Sequence, residues 1–155
     1  MRITSSIEYA SRLMVTLASE HGKSPVPAER LAEIDNVPAD YVSQILVKLR
    51  RAGLVASHRG SAGGYALSRA PQEITLAQVV RAVDGAVFED VCERFDRGTK
   101  DCRHQGDCSI SPVWTRLGGL VNGYLESVTL ASILAQKGGA CGAEPAWLEK
   151  LSSQK

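Results

Sequence analysis

No apolar run in this chain of 155 residues approaches the roughly 20 residues that a membrane-spanning helix needs. The opening MRITSSIEYASRL lacks both the apolar core and the small-residue cleavage site of a secretory signal, so a cytoplasmic protein is expected. There is no glycine-rich nucleotide loop and no Ser/His or His/Glu constellation. The sequence therefore offers no catalytic residue, and the chain is not expected to be an enzyme. Cysteine is scarce, with four residues in all. No two of them form the tight C-x2–4-C pair of a structural zinc site or a C-x-x-C redox motif. Net charge is nearly absent as well, at +1.

That small net charge conceals a polarity along the chain. Residues 1–69 carry nine Lys/Arg against six Asp/Glu, while residues 70–155 carry nine against eleven. Within the first part, Lys48, Arg50, Arg51 and Arg59 stand together with no acid between them. A local basic patch on a near-neutral chain points to a polyanion on one face, with a solvated surface helix as the alternative.

The apolar pattern gives that patch a scaffold. Ile7, Ala10, Leu13, Met14, Leu17 and Ala18 recur at helical spacing after a pair of serines and before Gly22. KSPVP then reads as a linker, PAERLAEIDN as a second helix and VPADYVSQILVKLRRAG as a third. The third helix has Val42, Ile45, Leu46 and Leu49 on its inner face, and Gly53 ends it. Two helices joined by the short DNVP turn form a helix-turn-helix. Strands over Leu54–Ser57 and Tyr65–Ser68, separated by a glycine-rich turn, add a wing. The predicted fold is mainly α with a small β-wing, a winged helix-turn-helix followed by a long dimerisation helix. In such a fold Asp40, Tyr41, Ser43 and Gln44 lie at the exposed start of the reading helix in the major groove. Gln44 has the two-pronged amide that pairs with adenine. Lys48 and Arg50 belong to the basic patch expected to meet DNA, Arg59 at the wing tip can enter a minor groove or hold phosphate, and Gly63 and Gly64 let the backbone approach the duplex closely. For Tyr41, partial packing against the wing is the competing reading.

Beyond the wing, PQEITLAQVVRAVDG predicts one helix with Leu76, Val79, Val80 and Val83 inward. SPVWTRLGGLVNGYLESV continues helical periodicity with a wide apolar stripe of Val113, Trp114, Leu117, Leu120, Val121, Tyr124 and Leu125. Gly118, Gly119 and Gly123 would permit close helix approach there. A stripe of that length outside a small core suits burial against a second copy of the chain. TLASIL makes a short last helix capped by Thr129. The expected divisions are 1–84 for the DNA-binding unit, 85–110 for a cysteine-rich loop, 111–135 for the dimerisation helix and short terminal helix, and 136–155 for a tail in which Trp147 and Leu148 can dock.

The loop holds Cys92, Cys102 and Cys108, spaced by nine and five residues. Three thiolates so widely spaced can wrap an object larger than one ion, such as an iron–sulfur cluster. Thiolates are the soft ligands that such iron needs, and neighbouring arginines favour their deprotonated form. A fourth ligand is missing from this set. His104 in the loop, Cys141 in the tail and an oxygen ligand such as Glu8 are the candidates. Free thiols, or one disulfide and a spare, are the alternative.

Taken together, MRITSSIEYASRLMVTLA, YVSQILVKLRRAGLVASHRGSAGGYALSR, ITLAQVVRAVDG, the three-cysteine loop and VWTRLGGLVNGYLESVTLASIL resemble the Rrf family of bacterial iron–sulfur transcription regulators. The resemblance covers residues 1–135. It implies a winged-helix homodimer on double-stranded operator DNA, with a cluster of 2Fe–2S or 4Fe–4S type held in the loop before each long helix. By position, Tyr41, Gln44, Arg59, Gly63 and Gly64 fall where family members contact DNA, and Cys92, Cys102 and Cys108 fall on the three cluster ligands. One branch of the family has a histidine three residues after the last cysteine, where this chain has Ser111. Nitric-oxide-sensing members instead have an acidic residue in the first helix that reaches the cluster of the other subunit, and Glu8 occupies that place. Against this stands a plain pairing of Glu8 with Arg12 at i, i+4. The first gap of nine residues is longer than is usual in the family. The resulting expectation is a repressor that senses redox state, nitric oxide or iron and cluster supply, with a cluster-free thiol–disulfide switch of the same fold as the alternative.

Overall fold

The computed structural model describes residues 3–60, 63–86 and 108–136. Cys92, Cys102, His104, Cys141, Trp147 and Leu148 lie outside them. Six α-helices and one two-stranded sheet are found among the described residues. They are α1 (Ser5–Ser19), α2 (Ala28–Asp35), α3 (Ala39–Arg51), β1 (Val55–His58), β2 (Gly64–Leu67), a 3-10 turn (Pro71–Glu73), α4 (Leu76–Asp84), α5 (Ser111–Ser127) and α6 (Leu130–Ala135). The fold is the winged helix-turn-helix with a long following helix.

The first three helices bury the faces their periodicity defines. In α1 the buried residues are Ile7, Ala10, Leu13, Met14, Leu17 and Ala18, and in α3 they are Val42, Ile45, Leu46 and Leu49. Thr4 caps α1, its hydroxyl accepting from the Ile7 N–H at 3.3 Å, so the two serines fall inside the helix rather than before it. Asn36 ends α2 in the left-handed region, which a short polar side chain tolerates. Gly53 (φ +69°) ends α3, and the Leu54 N–H returns to the Leu49 carbonyl at 3.0 Å.

The same Leu54 bond shifts the wing. With its N–H closing the helix, Leu54 joins the ladder only through its carbonyl, which accepts from the Ser68 N–H at 3.1 Å, and β1 starts one residue later than the sequence predicts. Pairing runs from Val55 opposite Leu67 to His58 opposite Gly64, one residue further toward the turn. The supposed linker also joins this sheet. The Val26 N–H donates to the Tyr65 carbonyl at 2.9 Å and the Tyr65 N–H to the Val26 carbonyl at 2.8 Å. Val26 thus forms a third, one-residue edge on β2.

The helix predicted over residues 71–85 is broken at Ile74, which is extended and fully buried. Its carbonyl accepts from the Leu130 N–H at 3.0 Å, while the Leu76 N–H donates to the Val128 carbonyl at 2.8 Å. Backbone used in this way cannot also serve a helix. Two caps therefore sit back to back, Thr75 over α4 with Gln78 and Thr129 over α6 with Ser132. Inside α4, Val79, Val80 and Val83 are buried as expected, while Leu76, which stands at the bridge, is only half-buried and Ala77 is buried in addition. The core gathers these faces of α1, α3 and α4 with Leu31, Val55, Leu67, Ile74 and Leu130.

Candidate DNA interface and the ends of the cysteine loop

The exposed side of α3 divides into three strips. Asp40, Gln44, Val47 and Arg51 recur at i, i+4, i+7 and i+11 and are all exposed, so they form one outward line. Ser43 and Arg50 lie on the wing side of that line, where the Arg50 guanidinium reaches the Ser57 hydroxyl at 3.5 Å. Tyr41 and Lys48 lie on the other side. The Tyr41 ring packs edge-on against Tyr9 of α1, with centroids 5.9 Å apart and planes at 78°, so its packing partner is α1 and not the wing. Its ring is still 48% exposed. The Lys48 ammonium donates to the Val83 carbonyl at the end of α4, 2.7 Å away.

Arg59 is exposed at the far end of β1. The wing glycines have reasons of their own. A Cβ on Gly63 would stand 2.6 Å from the His58 carbonyl oxygen, and one on Gly64 would stand 2.5 Å from both the carbonyl carbon and oxygen of Val26. Both are required by the wing's packing, whatever else they approach. Two residues of the outward line were not singled out as individual contacts in the sequence. Arg51 entered only as part of the basic run, and Val47 looked like an ordinary apolar residue. The available signal for Val47 was its position outside the Val42, Ile45, Leu46, Leu49 face.

Glu8 lies in the first turn of α1, with its carboxylate 2.7 Å from the Arg12 Nε and both side chains about half exposed. Arg12 also faces Asp35, the last residue of α2. Burial raises the Asp35 carboxyl above its ordinary value, against the lowering effects of the Thr16 hydroxyl, which donates at 3.0 Å, and of the Arg12 charge. The second carboxylate oxygen is buried without a hydrogen-bond partner. A carboxyl raised on folding holds its proton more tightly in the native state, so this group costs stability as pH rises from 3.8 through the folded value. Asp35→Asn keeps an acceptor for Thr16 and removes the charge. It is expected to raise stability at neutral pH by less than about 1 kcal/mol, since solvent screens a carboxyl that is only partly buried, and to flatten its pH dependence, as read from denaturant midpoints between pH 4 and 7. An unchanged or lower midpoint at neutral pH would show that Arg12 already compensates the carboxylate.

Cys108 is half-buried and free, three residues before α5. Among the described residues no three His, Cys, Asp or Glu side chains converge. No helix among them is long and apolar enough to cross a membrane. Ile110, just before α5, and Val113, Trp114, Leu117, Leu120 and Tyr124 on it are exposed, while Gly118 is buried and Val121 and Leu125 are half-buried. Gly119 and Gly123 face open space within this chain.

A reading helix with an exposed polar line, flanked by a short antiparallel wing, defines a winged-helix transcription regulator. The family described as iron-dependent transcriptional regulators, Rrf2, matches residues 3–136. The chain belongs to the Rrf2 family. It is 34% identical over 134 residues to the HTH-type transcriptional regulator IscR of Vibrio atlanticus, covering 86% of this chain and 75% of that one. Among solved structures, it is similar to T. potens IscR (27% identity, TM-score 0.72, 96% of each chain covered). It is also similar to CymR, the global cysteine regulator of B. subtilis (28%, TM-score 0.72, 87% of this chain and 97% of that one). These relatives are regulators and not enzymes, and the chain is a DNA-binding transcription regulator.

Proposed function

We propose that the protein is a cytoplasmic repressor that binds double-stranded operator DNA as a homodimer, with its affinity set by an iron–sulfur cluster. The observation that carries this reading is what flanks the cysteine segment in the chain: α4, packed on α1 and α3, precedes it, and α5, which exposes Val113, Trp114, Leu117 and Leu120, follows it. Residues 1–84 form the reading unit, 85–110 the cluster segment, 111–135 the dimerisation and terminal helices, and 136–155 the tail.

The donor chemistry fits the group. Cys92, Cys102 and Cys108 supply three soft thiolates. Glu8 supplies an oxygen across the dimer, ahead of His104 and Cys141, and among the described residues its half-exposed carboxylate is held by a surface pair with Arg12. Bound there, the group supplies redox chemistry and reactivity toward nitric oxide. The chain's own part is mechanical. Ligation by Glu8 gives up the Arg12 pair and ties α1 to the opposite cysteine segment, which fixes the spacing of the two reading helices, and release of that tie shifts the population between DNA-binding and non-binding forms.

On the DNA, Asp40, Tyr41, Ser43, Gln44, Val47 and Arg51 meet the major groove, and Arg50 and Arg59 meet phosphate. Gln44 pairs with adenine and Val47 packs on a thymine methyl. Gln44→Ala is expected to relax base preference at one operator position by about 1–3 kcal/mol, measured by competition among single-base operator variants. Uniform weakening on all sequences would misplace the helix.

The likeness to CymR favours a second reading, a cluster-free regulator in which the cysteines form a disulfide on oxidation. Absorption spectra with iron and sulfide assays on anaerobically purified wild type and Glu8→Ala separate the two. Brown protein containing iron and acid-labile sulfide supports the cluster, and an altered spectrum in Glu8→Ala supports the cross-dimer ligand. A colourless wild type, even after reconstitution, leaves the thiol switch.

A further inference from the structure

We infer that Lys48 is a positioning residue that couples the reading helix α3 to the root of the cysteine segment, and not a phosphate contact. This rests on the proposed dependence of DNA affinity on the state of that segment.

Lys48 stands on the flank of α3 that faces α1 and α4, off the outward line of Asp40, Gln44, Val47 and Arg51. Its ammonium is 2.7 Å from the Val83 carbonyl. That carbonyl belongs to the last turn of α4, where carbonyls lack intrahelical donors and the helix dipole is negative, so a lysine is well placed there. The helix stops directly afterwards. Gly85 (φ +85°) turns the chain away, its N–H returning to the Arg81 carbonyl at 3.2 Å. Cys92 follows seven residues after Gly85.

A second bond reaches the same turn from the other side. The Thr4 hydroxyl, which caps α1 four residues before Glu8, lies 3.4 Å from the Asp84 carboxylate. Val83 and Asp84 are thus a junction of three elements: α1, which carries Glu8; α4, from which the cysteine segment departs; and α3, which reads DNA. The Lys48 bond is the arm that ends on α3. Fraying or re-winding of the last turn of α4 changes the acceptor that Lys48 holds, and with it the seating of the C-terminal half of α3 and of the neighbouring Arg50 and Arg51.

A phosphate contact and a coupling bond have separable signatures. A lysine on phosphate adds about 0.9 to the slope of log affinity against log salt, whereas a coupling residue changes the ratio of affinities between two states of the protein. The experiment uses the full chain and a labelled duplex enriched by the wild type from a random-sequence pool. Dissociation constants are measured from 50 to 200 mM salt for protein purified anaerobically and for the same protein after nitric oxide or thiol oxidant. Lys48→Met, Lys48→Arg and Arg59→Ala are compared with wild type, with thermal denaturation to establish folding and Lys48→Gln in place of a methionine variant that does not fold.

The expected result is a Lys48→Met salt slope equal to wild type and an affinity ratio between states that falls at least about fivefold toward one, with Lys48→Arg restoring the ratio. Arg59→Ala should show the opposite, a reduced slope with the ratio kept. A lowered slope with an intact ratio in Lys48→Met overturns the inference in favour of a phosphate contact, and no change in either overturns it outright. A wild type whose affinity is the same in both states removes the sensing function itself, a failure visible before any variant is made.

Discussion

Leu120→Asp is expected to yield a folded monomer whose operator affinity is lower by on the order of 100-fold or more. Leu120 is 58% exposed within its own chain and shares one side of α5 with Val113, Trp114, Leu117 and Tyr124. The substitution removes little packing from the chain itself, so its own stability should move by no more than about 0.5 kcal/mol. At a two-fold interface, however, the same change is made twice and places two carboxylates in apolar surroundings without partners. Loss of the second subunit then removes the second set of groove contacts. Light scattering gives the mass and fluorescence anisotropy the affinity. A dimer that persists would show that α5 is not the interface, and a monomer that binds as tightly as wild type would show that one reading unit suffices.

Gly64→Ala separates two accounts of the wing. The new Cβ would stand 2.5 Å from the Val26 carbonyl carbon and oxygen, backbone atoms that cannot swing aside. Relief requires the two Val26–Tyr65 hydrogen bonds to part. Overpacking of this kind costs about 1–3 kcal/mol. At roughly 2–4 °C per kcal/mol for a chain of this size, Tm should fall by several degrees. If Gly64 serves only to bring backbone close to DNA, alanine lowers affinity and leaves Tm where it was. The two measurements on one variant therefore decide whether this glycine belongs to the fold or to the interface.

What could be read in the sequence followed its local periods. The six buried residues of α1 and the four of α3 are those that a 3.6-residue repeat selects. What could not be read came from backbone pairing between distant segments, which leaves no period behind. Nothing in KSPVP announces that Val26 edges a sheet. Nothing in PQEITLAQ announces that Ile74 surrenders its helix to Leu130. The candidate interface divided in the same way. The exposure of Gln44 and Tyr41 was legible because a helix-turn-helix fixes which end of its second helix is exposed. Lys48 was not, because a charge count gives a lysine's sign and not its direction, and the direction here is set by a carbonyl 35 residues away in the chain.

The back-to-back caps of Thr75 and Thr129 also determine how α5 can move. Its C-terminal end runs straight into Val128 and Leu130, which are hydrogen-bonded to Leu76 and Ile74, and Glu126 in its last turn meets Arg81 at 2.5 Å. Its opposite end, Pro112 to Leu117, is exposed. With the Val128 bridge as its fulcrum, the helix would act as a lever. Seventeen residues make an arm about 25 Å long, so a tilt of roughly 10° displaces the Ser111 end by about 4 Å while the fulcrum hardly stirs. Cys108 sits just past the long end. A tilt of that size would carry Cys108 through several ångströms while leaving the Ile74–Leu130 and Leu76–Val128 hydrogen bonds in place.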